Sequence, residues 1–388
     1  MLNFSFYNPT QIVFGKGQTE KLDGLVPKNA NILITIGGGS VKKNGVLDKV
    51  QEELAKSDRN VFLFEGIEPN PKFDTLMKAV EIVRKEKIDF LLAVGGGSVM
   101  DGTKFIALAA NNYVGEEKKI LSFGFKGVPA ESALPLGTVV TLPATGSEMN
   151  MGAVVSDGED KLPVMSPLNY PRFSILDPEF TFTLPATQVA NGIVDSFVHV
   201  IEQYMTYPAE GRFQDRTAEG ILQTLIEIGR KTMDNPEDYD ARANLVWCST
   251  MALNGLIGAG VPGDYTTHMI GHELTALYGI DHAKTLAVVM PALWKVKKQD
   301  KGEKLLQYAE RVWNITEGSD DEKIDKAIQK TEEFFHSLDI PTDLSSYDLG
   351  DEDIDKIIAN LEKHGMTALS ERGDVTPEVS RKILQTAK

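Results

Sequence analysis

The sequence predicts an α/β domain built on a parallel sheet, followed by an all-helical domain. Two near-identical units predict the first: Asn31-Ile32-Leu33-Ile34-Thr35-Ile36 runs into Gly37-Gly38-Gly39-Ser40-Val41, and Phe90-Leu91-Leu92-Ala93-Val94 runs into Gly95-Gly96-Gly97-Ser98-Val99. Each reads as a buried parallel strand delivering a glycine turn to a helix N-terminus. A change of texture after Leu184-Pro185 predicts the second, because strand-like runs stop there and helical periodicity takes over. The expected division is therefore residues 1–185 and residues 186–388.

Further strands are expected at Val61 to Phe64, before the Pro69-Asn70-Pro71 turn, and at Leu136 to Leu142. In the second half, Ala186 to Met205, Arg212 to Thr232, Ala241 to Ile257, Tyr265 to Tyr278 and Ala283 to Lys298 read as helices, the last interrupted by Pro291. Beyond Gly302 four amphipathic stretches close the helical domain: Lys304 to Trp313, Asp321 to Leu338, Asp351 to Lys363 and Pro377 to Ala387.

Composition narrows the function. At 388 residues, 42% hydrophobic and 25% charged, the chain has the make-up of a folded soluble protein. A net charge of −16 repels a polyanion, so no nucleic-acid partner is expected. No apolar run approaches the ~18 residues of a membrane-spanning helix. The single cysteine, Cys248, and an N-terminus, MLNFSFYNPT, without basic and apolar signal regions lead us to expect a cytoplasmic protein.

Four of the six histidines, His199, His268, His272 and His282, fall within one stretch of the helical half. Asp195 and His199 are four residues apart in an apolar helix, so both side chains point to the same buried face. Such a pair is costly there unless paired or bound to a metal. His268 and His272 repeat the spacing, and His282 follows the Gly279-Ile280-Asp281 turn. Three imidazoles and a carboxylate suit one divalent metal, Fe²⁺ or Zn²⁺, and five candidates for four places leave one histidine over. The plain alternative for any one of them is a hydrogen-bonded core histidine or a helical ion pair, but two such pairs and a fifth candidate favour a metal.

The glycine turns do not match the G-x-G-x-x-G fingerprint. A strand end, three residues without side chains and free helical N–H groups still make a place for a phosphate. NAD sites usually set an acidic residue on the adenosine ribose. Here the first turn offers Ser40 with Lys42 and Lys43, so NADP(H) is expected over NAD(H). Asp101 reads as an organiser of the second turn, and Thr141, Thr145, Ser147 and Asn150 crowd the segment after the 136–142 strand.

These residues together carry a resemblance. The chain resembles the iron-containing, or group III, alcohol dehydrogenases essentially end to end, through Gly95-Gly96-Gly97-Ser98 with Asp101, Thr145-Gly146-Ser147-Glu148, Asp195-x-x-x-His199, and His268-x-x-Gly271-His272 with His282. Within that family it is similar to bacterial NADPH-dependent aldehyde reductases and butanol dehydrogenases, through Gly37 to Lys43 and Gly66-Ile67-Glu68-Pro69-Asn70-Pro71. The resemblance implies a dehydroquinate synthase-like fold, with Asp195, His199, His268 and His282 holding the metal and His272 near the substrate. It implies that Gly96, Gly97 and Ser98 hold the pyrophosphate, that Thr141, Thr145 and Lys161 line the cofactor cleft, and that Gly38, Ser40 and Asn70 lie towards the adenosine. Asp101 and Asn150 complete the expected cofactor loops. Thr141-Leu142-Pro143-Ala144-Thr145 departs from the Thr-Thr-Ala-Gly-Thr run of many members.

The activity so implied is metal-assisted hydride transfer between NADP(H) and an aldehyde or primary alcohol, by a homodimer, with His272 as proton shuttle. The alternative is a metal- and NAD-dependent lyase of the dehydroquinate synthase type, which regenerates its nicotinamide each cycle. Two readings stand further off: a metallohydrolase, in which the metal activates water and the glycine turns hold a phosphate substrate without nicotinamide, and a non-catalytic metal binder, which leaves the paired glycine turns unexplained.

Overall fold

The computed structural model describes residues 1–388, which form two compact units. One comprises Tyr7–Leu184 and Pro236–Thr250, the other Met1–Phe6, Pro185–Asn235 and Met251–Lys388.

The first unit holds a six-stranded sheet made of β1 (Gln11–Phe14), β2 (Ala30–Thr35), β3 (Arg59–Phe64), β4 (Phe90–Gly95), β5 (Leu136–Val140) and, after a β6–β7 hairpin (Gly152–Asp157, Asp160–Met165), β8 (Phe173–Leu176). The order is β1-β8-β5-β4-β2-β3, with every pairing parallel. Helices α1 (Leu22–Leu25), α2 (Ser40–Lys43), α3 (Val46–Leu54), α4 (Phe73–Lys85) and α5 (Gly97–Ala109) supply the connections. Alternate residues of each strand enter different cores: Leu33, Leu91 and Ala93 pack in one, Ile32, Ile34, Leu92 and Val94 in the other. Burial on both faces explains why these strands read as continuous apolar runs.

This order positions the glycine turns. From β2 the chain moves outward to β3, then returns to β4 on the other side of β2, so a topological switch point lies between β2 and β4. Open α/β sheets bind ligands in the crevice at the carboxyl ends of strands at such a point. Gly37–Ser40 and Gly95–Ser98 leave those two ends.

The second unit is helical: α6 (Ala186–Tyr204), α7 (Arg212–Asp234), α9 (Thr266–Tyr278), α10 (His282–Val296), α11 (Gly302–Arg311), α12 (Asp320–Ser337), α13 (Asp351–Lys363) and α14 (Pro377–Thr386). Every residue of α6 from Ile193 to Tyr204 is buried, and α10, which carries Pro291 inside it, packs against α6, α9, α12 and α14.

Two segments depart from the expected division at residue 185. Helix α8 (Tyr239–Ala252) belongs through Thr250 to the sheet unit, not to the helical domain. There Val246 joins the sheet core, Arg242 Nη1 donates to the Thr181 carbonyl at 3.0 Å and Thr250 Oγ1 donates to Glu148 at 2.6 Å. Conversely, Met1–Phe6 joins the helical unit, where Leu2 N–H donates to the Gly260 carbonyl at 2.8 Å and Phe4 covers Gly260. Periodicity predicts a helix but not the surface it packs on. Strands β1 and β8 and the β6–β7 hairpin were also not anticipated, being short or, like the hairpin, only partly buried.

Candidate active site

In the helical unit, α6 presents Asn191, Asp195, His199 and Glu202 along one stripe, since offsets of 4, 8 and 11 residues stay within about 80° of arc on a helix. Each position reaches a different neighbour. Asn191 Nδ2 donates to Asp281 at 3.1 Å, the residue that precedes His282 at the start of α10. Glu202 accepts the His268 backbone N–H at 3.0 Å and makes a short hydrogen bond with His268 Nδ1.

Between these two anchors the ligand candidates converge. Asp195 Oδ1 lies 3.7 Å from His268 Nε2, 3.8 Å from His282 Nε2 and 3.8 Å from His199 Nδ1. Atoms so spaced do not hydrogen-bond. Ligands ~2.1 Å from a shared tetrahedral metal stand about 3.4 Å apart, close to what is seen. One donor atom each from Asp195, His268 and His282 lies within 4.8 Å of the other two, and His199 stacks on His268 with ring centroids 4.5 Å apart. His199 Nδ1 and His268 Nε2 are buried without a hydrogen-bond partner. A cation supplies what both lack, so the donor set fits a divalent metal.

Burial pushes the His199 imidazole down to about 4, so it is neutral, as a ligand must be. Burial also works against a charged His268, but the Glu202 and Asp195 carboxylates outweigh it and hold the ring up at about 9, so a metal bound there would take the place of the proton on Nε2. His272 lies one turn beyond His268, its ring 4.9 Å from that of His282 and 6.0 Å from that of His268. Gly271 beside it allows α9 to approach α10 closely: a Cβ there would sit 2.9 Å from Thr285 Oγ1 and 3.0 Å from Leu286 Cδ2.

A buried charge cluster fixes the start of α9. Asp264 Oδ1 caps Thr266 N–H at 3.0 Å, while Lys301 Nζ contacts Asp264 at 2.8 Å, Glu371 at 3.4 Å and the Met205 carbonyl at 2.7 Å.

In the sheet unit the cofactor candidates gather at the carboxyl ends of β2, β4 and β5. Gly38 lies in the turn after β2, Gly39 (φ 98°) caps α2, and Ser40 opens that helix. Lys42 pairs with Glu65. Asn70 N–H donates to Ser98 Oγ at 3.3 Å, joining the Pro69-Asn70-Pro71 turn to the second glycine loop. Gly96 caps α5, and a Cβ on it would meet Leu142 at 3.0 Å. A Cβ on Gly97 would lie 2.6 Å from Thr145 Cγ2. Thr141 N–H donates to the Gly95 carbonyl at 3.0 Å. Bare backbone at a helix N-terminus, closed in by neighbouring loops, is the kind of cradle a phosphate takes.

Asp101 and Asn150 use their side chains within these loops. Asp101 accepts the Ser147 hydroxyl at 2.7 Å and Val154 N–H at 2.8 Å, and Asn150 accepts from Gly152 N–H at 3.0 Å while donating to Gly146 at 2.9 Å. Lys104, a fully buried lysine, joins these loops: its Nζ donates to Asn150 at 3.1 Å, to the Gly152 carbonyl at 2.8 Å and, at 2.8 Å, to the Ser147 hydroxyl that Asp101 accepts. Lys161 stands on β7 opposite Ser156, close enough to bias the Asp101 carboxyl.

Sequence reasoning missed Lys104 and Glu202. Both have a spacing signal: Lys104 comes three residues after Asp101, and Glu202 three after His199 and seven after Asp195.

Both halves of the chain match known proteins. Residues 9–178 match the family model described as iron-containing alcohol dehydrogenase, and residues 189–371 that of the Fe-containing alcohol dehydrogenase family, C-terminal. The chain is 57% identical to the NADPH-dependent aldehyde reductase YqhD of Escherichia coli, over all of both chains. It is 42% identical to the probable NADH-dependent butanol dehydrogenase 1 of Bacillus subtilis, over 92% of each. The crystal structure of E. coli YqhD superposes with a TM-score of 0.97 at 56% identity, covering 100% of this chain and 99% of that one. NADH-dependent butanol dehydrogenase A of Thermotoga maritima gives 0.92 at 35% identity, with the same coverage. No helix is long and apolar enough to cross a membrane. With both of its units matched and its parallel sheet and helical half reproduced in solved relatives, the chain belongs to the iron-containing alcohol dehydrogenase family.

Proposed function

We propose that this chain is a metal-dependent oxidoreductase that moves a hydride between NADP(H) and an aldehyde or primary alcohol. The observation that carries the reading is a single carboxylate oxygen, Asp195 Oδ1, standing 3.7 to 3.8 Å from three histidine nitrogens. Asp195, His199, His268 and His282 would hold one divalent metal, iron or zinc. Gly96, Gly97 and Ser98 would take the pyrophosphate on the first turn of α5, with Thr141, Thr145 and Lys161 along the cofactor and Gly38, Ser40 and Asn70 towards the adenosine. The 57% identity to an NADPH-dependent aldehyde reductase supports the choice of NADP(H) and of an aldehyde substrate.

When bound, the metal supplies Lewis acidity and the nicotinamide supplies or accepts the hydride. The chain's own residues do the rest. The neutral His199 and the Asp195 carboxylate keep the site's charge low enough to hold a cation. Lys104, Asp101 and Asn150 keep the 145–152 loop still beneath the glycine turn, so that the cofactor meets a formed surface. His272, which the four-ligand set does not need, gives a proton to the substrate oxygen in reduction and takes it back in oxidation.

The reading includes a homodimer in the cytoplasm. Met1, Leu2, Phe4, Phe6 and Tyr7 each leave 48% or more of their surface exposed, an apolar run of the kind that subunits cover, and the lone Cys248 is buried and free.

The test is loss of 340 nm absorbance with butanal, comparing NADPH with NADH and metal-loaded with chelator-stripped protein. Rapid metal-dependent oxidation of NADPH is expected. Equal use of NADH would remove the role given to Ser40, and no oxidation of either nucleotide would refute the reading. Net consumption of the nicotinamide also excludes a lyase that regenerates it.

A further inference from the structure

We infer that Glu202 is a positioning residue that fixes the tautomer and orientation of His268, so that the Nε2 lone pair faces Asp195 and the metal. The inference rests on the reading of Asp195, His199, His268 and His282 as metal ligands. Glu202 holds His268 at two points: one carboxylate oxygen accepts the backbone N–H at 3.0 Å and the other binds Nδ1 of the ring. Since that oxygen is an acceptor, the ring keeps its hydrogen on Nδ1 and offers the lone pair of Nε2 to the metal. Nε2 then points at Asp195 Oδ1, 3.7 Å away, with no hydrogen-bond partner of its own.

The geometry around Glu202 argues for this role over general packing. Only 3% of the residue is exposed, so its charge answers to nothing in solvent. Its own carbonyl accepts Asp264 N–H at 2.8 Å, which ties the start of α9 to α6 at the level of His268. A glutamine keeps the size of the side chain but has one acceptor oxygen for two donors, and its amide would oppose the second N–H. A carboxylate partner also raises the basicity of the imidazole it binds, which strengthens the opposite nitrogen as a ligand.

The full chain is stripped with chelator and titrated with cobalt(II), in the wild type, Glu202→Gln and His268→Ala. Visible absorption reports the ligand field, thermal melting reports the fold, and ¹⁵N-histidine NMR of the zinc-loaded wild type reads the protonated nitrogen. Expected are one cobalt per wild-type chain, ~10–100-fold weaker binding with a shifted band in Glu202→Gln at a melting temperature close to wild type, and a proton on Nδ1 of His268. In butanal reduction kcat falls more than KM rises. Glu202→Gln with wild-type cobalt affinity and an unshifted band overturns the inference while leaving the ligand assignment standing. A wild type that takes up no cobalt overturns both. If Glu202→Gln does not fold, the NMR measurement decides: zinc-loaded His268 with its proton on Nε2 refutes the inference.

Discussion

Gly97→Ala tests whether the glycine turn serves cofactor binding or only the fold. The new Cβ would lie 2.6 Å from Thr145 Cγ2, 2.7 Å from Oγ1 and 3.2 Å from Cβ. Carbon atoms pack at ~3.5–4.0 Å, so rotation about χ1 cannot relieve a clash that includes Thr145 Cβ, and the 145 backbone must move by roughly 1 Å. That shift pulls on Ser147, whose N–H bonds Thr145 Oγ1 at 3.2 Å and whose hydroxyl meets Asp101 and Lys104. Overpacking of this kind costs about 1–3 kcal/mol, whereas alanine gains up to about 1 kcal/mol over glycine in a helix. Net stability should therefore fall by about 0–3 kcal/mol. If the strain falls on the loop that meets the pyrophosphate, NADPH binding weakens by roughly 5–150-fold. Calorimetric titration of NADPH into metal-loaded variant and wild type measures this, with metal content as an internal control because the ligand candidates lie in the other unit. A folded variant with full metal content and an NADPH Kd within twofold of wild type would show that Gly97 is a packing residue alone.

Other perturbations address the rest of the molecule. Asp195→Asn removes the anionic member of the cluster, so metal content by mass spectrometry and butanal reduction should both fall at least ~100-fold, more than loss of a ligand's outer partner causes; a fully loaded variant would dismiss Asp195 as a ligand. Lys301→Met leaves Asp264 and Glu371 buried without their cation and should destabilise by about 3–5 kcal/mol, read as a lower denaturant midpoint, and an unchanged midpoint would contradict the buried cluster. Burial pushes the Cys248 thiol up to about 12, so at pH 8 only on the order of one molecule in 10⁴ carries the thiolate. Ellman's reagent should leave the native protein untouched for hours, react on unfolding, and gain reactivity as pH rises towards 12. Stoichiometric reaction within minutes at pH 8 would show that Cys248 is accessible.

The parts of this molecule legible in sequence are those where one local pattern has one physical meaning. An apolar run ending in Gly95-Gly96-Gly97-Ser98 is a buried strand turning into a helix, and it is found as β4 and α5. Asp195 and His199 share a helix face by spacing alone, and they do so on α6. What could not be read are relations between distant segments. Helix α8 has helical periodicity wherever it packs, and its attachment to the sheet unit depends on Thr181 and Glu148, far away in sequence. Lys104 and Glu202 are charged residues inside apolar helices. The acceptors that justify the first, Ser147, Asn150 and Gly152, and the imidazole that justifies the second, His268, lie more than forty residues on.

The stripe on α6 makes that helix a ruler whose unit is the residue. One added or deleted residue between Asn191 and Glu202 would rotate everything beyond it by about 100°, turning either the ligands or their anchors away from α9 and α10. Substitution can be tolerated at each position separately, but a change of length cannot, because it alters the phase of all later positions at once. Related chains should accordingly vary in length before Pro185 or after Tyr204 and keep these twelve positions in register.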